Sequence, residues 1–164
     1  MKPISLTIEA FGPYRDSVTL DFSKLENHSM FLISGSTGAG KTSILDAMVY
    51  ALYGEPSGEV RKTDAIRSDF AEPERMTRVD FSFAIGDAQY RVERLPKQMV
   101  TKKRGTGMRE QNASATVYEM KAGEWKVIAT SAAAIRDTIQ RIIGFRKDQF
   151  LQVVLLPQGE FRKL

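Results

Sequence analysis

The sequence predicts an α/β fold of the phosphate-binding-loop class, and three observations predict it. The stretch Gly35-Ser36-Thr37-Gly38-Ala39-Gly40-Lys41-Thr42 fits the spacing G-x-x-x-x-G-K-[ST]. The apolar run Phe31-Leu32-Ile33 precedes it, as a strand buried on both faces would. A helical pattern follows it: Ile44, Leu45, Met48, Ala51 and Leu52 recur at helical spacing, and Gly54 then Pro56 stop the helix. A flexible glycine turn would need neither flank.

Each loop position carries a residue type suited to its work. The glycines allow close approach, so that backbone N–H groups converge on one concavity and can cradle phosphate oxygens. Lys41 adds a point charge at the β and γ phosphates. Thr42 offers a hydroxyl to Mg2+, which prefers oxygen ligands and keeps several waters. The helix that starts here turns its positive end toward the same anion. On this reading Gly35, Gly38 and Gly40 shape the cradle, Lys41 is the candidate for phosphate contact and catalysis, and Thr42 is the candidate metal ligand.

From the start of the chain, Ile4, Leu6 and Ile8 alternate with polar residues as a half-buried strand. Phe11-Gly12-Pro13-Tyr14 reads as a turn, and Val18, Leu20 and Phe22 as the hairpin partner. The polar connection 23–29 holds His28, the sole histidine, read as a solvated loop residue. After the helix, residues 55–77 carry Pro56, Ser57, Gly58 and Pro73 and several arginines. A solvated basic segment is the first reading; a loop near nucleotide or nucleic acid is the second. Val79, Phe81, Phe83 and Ile85, the turn Gly86-Asp87, then Ala88, Tyr90 and Val92 make the clearest hairpin.

Residues 97–111, with Lys97, Lys102, Lys103, Arg104 and Arg109, read as a mobile basic loop, either solvated or touching a nucleic-acid backbone. A further hairpin runs through Thr116 to Met120, Ala122-Gly123 and Trp125 to Ile128, with Trp125 as a packing residue. Ser131 is placed to cap a helix with Ile135, Ile139, Ile142 and Ile143 on one face and Gly144 at its end. The apolar run Val153-Val154-Leu155-Leu156 is expected to be a second central strand, ended by Pro157-Gln158.

At 164 residues the chain suits one domain with a sizeable core. It has no cysteine, which excludes disulfides and thiolate chemistry within it. No apolar run approaches the roughly 20 residues of a membrane helix. The opening Met1-Lys2-Pro3-Ile4 enters strand pattern directly, so no signal peptide and a cytoplasmic location are expected. The net charge of +4 permits nucleic-acid binding without requiring it.

Hydrolysis would further need an acid on the metal and a group to position water. No apolar strand ends in such an acid: Asp80 lies inside an alternating strand, and the run ending at Leu156 leads into Pro157-Gln158. Gln158 is a candidate instead, since an amide can offer oxygen to Mg2+ and NH2 to water; a solvent-facing turn glutamine is the alternative.

Ala10-Phe11-Gly12-Pro13-Tyr14, the loop through Ser43, Leu45-Asp46-Ala47, Ala51-Leu52-Tyr53-Gly54 and Leu156-Pro157-Gln158-Gly159-Glu160-Phe161 together resemble the amino-terminal ATPase segment of the SbcC/Rad family of DNA-repair ATPases, relatives of the chromosome-organising SMC proteins. The resemblance covers essentially the whole chain. It implies that residues 1–164 are the amino-terminal lobe of an ABC-type ATPase head, with a mixed sheet and antiparallel hairpins on one flank. It implies Mg-ATP as cofactor, with Ser36, Thr37, Gly38, Ala39, Gly40, Lys41, Thr42 and Ser43 binding its phosphates, Gln158 as the glutamine that meets Mg2+ and the γ-phosphate, and Ile66, Arg67 and Ser68 near adenine and ribose. Implied partners are a carboxy-terminal lobe of the same protein beyond a coiled coil, a second copy of the head in an ATP-bridged homodimer, a nuclease of the SbcD type, and double-stranded DNA, with no membrane. Two departures stand out: Thr37 replaces an Asn of many relatives, and Gly12-Pro13 replaces an Arg, for which Arg15 is the candidate substitute. The alternative functions are a self-contained small-molecule kinase, with residues 97–111 as its lid, and a nucleotide-binding module without turnover.

Overall fold

In the computed structural model, residues 1–25, 32–57, 66–102 and 106–153 are described. The first two strands are β1 (Lys2–Glu9) and β2 (Val18–Asp21), with a 3-10 turn at Ser23–Leu25. Helix α1 (Lys41–Tyr53) follows the glycine loop. Then come β3 (Arg78–Ile85) and β4 (Ala88–Leu95), the short β5 (Gln98–Thr101) and β6 (Met108–Gln111), and β7 (Ser114–Lys121) with β8 (Glu124–Ala129). Helices α2 (Ala132–Ile143) and α3 (Lys147–Val153) end the described chain.

Six strands form one sheet in the order β2-β1-β3-β4-β7-β8, and β5 pairs β6 apart from it. Every described pairing is antiparallel. The mixed sheet expected from the resemblance is therefore not present among the described strands. Alternation sets which face is buried: Leu6 and Ile8 of β1, Val79, Phe81 and Phe83 of β3, Val92 of β4 and Val117 of β7 all turn into the core. Helix α1 covers β3 and β4, and α2 covers β7 and β8 and touches α1. Helix α1 buries residues on all sides, Ile44, Ala47, Met48, Val49, Tyr50, Ala51 and Leu52 among them, so it is the central element of the core.

The three predicted hairpins and both predicted helices are present. Ser131 Oγ accepts from Ala134 N–H at 3.3 Å, and Gly144 ends α2 by donating to the Gln140 carbonyl at 2.9 Å. Two expectations fail. Leu32 and Ile33 are in no strand; Leu32 is 88% exposed and Ile33 only partly buried. A strand buried on both faces needs strands on either side, and among the described residues none pairs with Leu32 or Ile33; Phe31 lies outside the described residues. Val153 belongs to the last turn of α3 and is 67% exposed, so the expected strand does not begin there. A short apolar run has no period of its own, and here the helical reading wins. Residues 154–164, Gln158 included, lie outside the described residues, as does His28.

Residues 97–111 also differ from expectation, since β5 and β6 make a ribbon rather than a loop. Its anchor is the buried Gln98, whose amide accepts from Thr77 N–H at 2.7 Å and donates to the Thr77 carbonyl at 3.0 Å. That amide satisfies a buried peptide group as a neighbouring strand would. Lys103 and Arg104 lie outside the described residues.

Candidate nucleotide-binding cleft

The phosphate loop is shaped by its own backbone. Ala39 N–H donates to the Ser36 carbonyl at 3.2 Å, which folds residues 36–39 into a turn. Gly40 then takes φ 91°, a left-handed angle that a side chain would oppose, and starts α1. Its carbonyl accepts Ile44 N–H at 3.2 Å, the first bond of the helix. Lys41 Nζ folds back and donates to the carbonyls of Gly35 and Ser36, both at 2.8 Å.

In front of this helix start is an open cleft of about 700 Å3. Thr37, Gly38, Gly40, Lys41, Thr42 and Ser43 form one wall. Gly12 and Pro13, from the turn after β1, form the second, and Arg67, Asp69 and Phe70 the third. Of the loop residues predicted from sequence, Ser36 and Ala39 are therefore not on the wall; they build the turn behind it. Ser43 is on the wall but almost fully buried.

The second and third walls are stitched together. Gly12 N–H donates to the Ile66 carbonyl at 2.8 Å, and Ser68 N–H to the Ala10 carbonyl at 2.9 Å. Ile66 and Ser68 are each 2% exposed, so of the three residues expected near adenine and ribose only Arg67 faces the cleft. Arg67 Nη1 donates to the Arg75 carbonyl at 2.5 Å and Nη2 to the Glu72 carbonyl at 2.9 Å, which folds the following segment around it. Sequence reasoning missed Asp69 and Phe70. Phe70 is 72% exposed, the one large aromatic among the described residues left so open. A lone Phe inside the polar stretch Ser68-Asp69-Phe70-Ala71-Glu72-Pro73 was the available signal. Arg15 does not line the cleft; it pairs with Asp16 at 2.8 Å on the surface.

Candidate acids elsewhere are accounted for. Asp80 is held by Arg91 Nη2 at 2.6 Å and Arg78 Nη2 at 3.1 Å on the sheet. Asp46 on α1 accepts from Ser57 Oγ and from Ser57 N–H. Asp69 is the carboxylate on the cleft wall. Among the described residues no cluster of three or more His, Cys, Asp or Glu is built to hold a metal. The donor set at the helix start nevertheless fits Mg2+, which takes one or two protein oxygens and completes its shell with phosphates and water. Thr42 stands beside Lys41 on the wall and supplies such an oxygen.

No helix among the described residues is long and apolar enough to cross a membrane. A family model described as an AAA domain matches residues 5–164. The C subunit of the nuclease SbcCD from Vibrio cholerae is 44% identical over 164 residues, covering 100% of this chain and 16% of that protein. Its namesake in Lactococcus lactis is 42% identical over 166 residues, covering 99% of this chain and 16% of the relative. The Staphylococcus aureus protein of the same name is 39% identical over 163 residues, with 99% and 16% covered. The chain thus spans 16% of the length of these curated relatives.

Proposed function

This chain belongs to the AAA-domain family, and from that premise we propose that it is the Mg-ATP-binding lobe of an SbcC-type ATPase that serves DNA end processing by a nuclease partner. The observation that carries the reading is the convergence of Lys41, Thr42 and the N-terminal end of α1 on one open cleft. In this reading the loop N–H groups and Lys41 hold the β and γ phosphates. Thr42 supplies the metal oxygen, and Mg2+ neutralises charge on the transferred phosphoryl group. Arg67, Asp69 and Phe70 form the side toward ribose and base, with the Phe70 ring available for stacking. Gln158 is retained in the proposal on the resemblance alone, as the amide that reaches the metal.

The acid that activates water is assigned to the carboxy-terminal lobe on the family resemblance, and the engagement of Asp46 by Ser57 and of Asp80 by Arg91 and Arg78 is consistent with that. The remaining partners of the proposal are a second copy of the head, an SbcD-type nuclease and double-stranded DNA. The kinase alternative draws no support from its expected lid, since Gln98 ties that ribbon to Thr77.

Lys41→Ala in the intact protein tests the site. Mg-ATP affinity is expected to fall by at least about tenfold, as loss of a charge-assisted contact requires, with turnover falling further. Wild-type affinity and turnover in that variant would refute the assignment.

A further inference from the structure

We propose that Tyr14 is a positioning residue for the phosphate-binding loop, acting through the Gly40 carbonyl; this rests on the nucleotide site proposed above. Tyr14 Oη donates to the Gly40 carbonyl at 3.2 Å, across 26 residues of sequence. That carbonyl also accepts the first hydrogen bond of α1, from Ile44 N–H. One phenol therefore grips the peptide unit at which the loop becomes helix and from which the N–H groups of Lys41 and Thr42 take their direction.

The ring contributes as well as the hydroxyl. A Cβ on Gly40 would sit 2.8 Å from Pro13 Cγ and 3.0 Å from the Tyr14 ring, so the turn and the loop are in contact with no room between. The turn is itself held firmly. Phe11 and Tyr14 exchange backbone hydrogen bonds of 2.9 and 3.0 Å, and the Phe11 ring packs on Tyr50 of α1 with centroids 5.9 Å apart. Phe11 thus fixes the turn to the second half of α1 and Tyr14 fixes it to the residue just before the helix. Burial raises the Tyr14 pKa, so the phenol stays a donor throughout the neutral range. Tyr14 does not line the cleft, and it acts on phosphate only through the loop.

The test compares wild type, Tyr14→Phe and Lys41→Ala in the intact protein, with Mg-ATP and with inorganic tripolyphosphate. Tyr14→Phe keeps the ring and removes the donor. Its dissociation constants are expected to rise about three- to tenfold for both ligands alike, the loss of one positioned hydrogen bond, with the melting midpoint unchanged. Wild-type affinity in Tyr14→Phe overturns the proposal. So does a loss confined to Mg-ATP, which would put Tyr14 at the base, or a lowered midpoint that accounts for the loss through unfolding. If Lys41→Ala itself binds as wild type does, the site reading fails first; if only Tyr14→Phe does, the site stands and the positioning role falls.

Discussion

Phe70 is a large apolar ring held out in water at the rim of a phosphate cleft. Stacking of a base on it adds roughly 0.5–1.5 kcal/mol beyond area burial. Phe70→Ala is therefore expected to raise the Mg-ATP dissociation constant by about two- to tenfold and to leave tripolyphosphate binding unchanged. Parallel titrations check this, and equal losses for both ligands would remove Phe70 from the base side. At this scale the loop was legible because its pattern is local: a fixed spacing specifies Gly35, Gly40, Lys41 and Thr42. Of the third wall only Arg67 was anticipated, through the resemblance; Asp69 and Phe70 were not, because their segment is brought to the cleft by the bonds from Gly12 N–H to the Ile66 carbonyl and from Ser68 N–H to the Ala10 carbonyl, pairings with no local signature.

Helix α1 shows how one side chain can fix an element. Arg94, deep in the core side of β4, donates from Nε to the Ala51 carbonyl at 3.0 Å and from Nη2 to the Leu52 carbonyl at 3.4 Å. Its guanidinium lies 5.9 Å from the centroid of the Tyr50 ring. These are last-turn carbonyls, which have no partner within the helix, and a cation there also complements the helix dipole. Gly54 completes the stop with φ 81° and a bond from its N–H to the Tyr50 carbonyl at 2.8 Å. A Cβ at Gly54 would come within 2.8 Å of Arg94 Nη1, so the glycine also makes room for the cap.

Arg94→Met, which keeps the stem and deletes the guanidinium, is expected to destabilise the fold by about 1.5–3 kcal/mol. Urea unfolding with an unchanged slope is the measurement, and a loss below about 0.5 kcal/mol would mean the cap is dispensable. Elements themselves were well read wherever period and punctuation agreed, as at Ser131, Gly144 and the turn Gly86-Asp87. They were misread where side chains replace backbone partners, as Gln98 does at the start of the β5–β6 ribbon. Val153 was misread for a different reason, since a short apolar run cannot by itself separate a strand from the end of a helix; residues 154–156 lie outside the described residues.

Across the whole molecule, two phenols, the buried Tyr50 and the half-buried Tyr53, tie stability to alkaline pH. Burial pushes the Tyr50 and Tyr53 pKa values up to about 12. Tyr53 Oη donates to the Phe145 carbonyl at 3.1 Å, and its ring packs on Phe150, so it joins α1 to α3. An unfolded tyrosine loses its proton near pH 10, so between about pH 10 and 12 the folded state holds more protons. The contribution of these two tyrosines is then expected to be constant in the neutral range and to be lost as pH rises through that window. Denaturant melts across the range, with tyrosinate absorbance followed in parallel, check it; an early tyrosinate signal without loss of stability would contradict it. The global arrangement was only half legible. Alternation gave the hairpins and their buried faces, but the order in which hairpins join, β1 beside β3 and β4 beside β7, rests on pairings between residues far apart in sequence.

The packing of α1 has a mechanical corollary. Two cleft walls belong to the sheet and the segment sewn to it, whereas the third is the leading end of α1. A 13-residue helix is about 20 Å long, so a tilt of about five degrees about its Arg94 end would sweep the phosphate loop by about 1.7 Å. The helix thus joins the two regions as one stiff element, its leading end held at Gly40 by Tyr14 and its far end by Arg94. That far end, at Arg94 and Gly54, borders the groove lined by α2 and α3. A molecule seated in that groove would meet the far end of the same helix, about 20 Å from the phosphate loop.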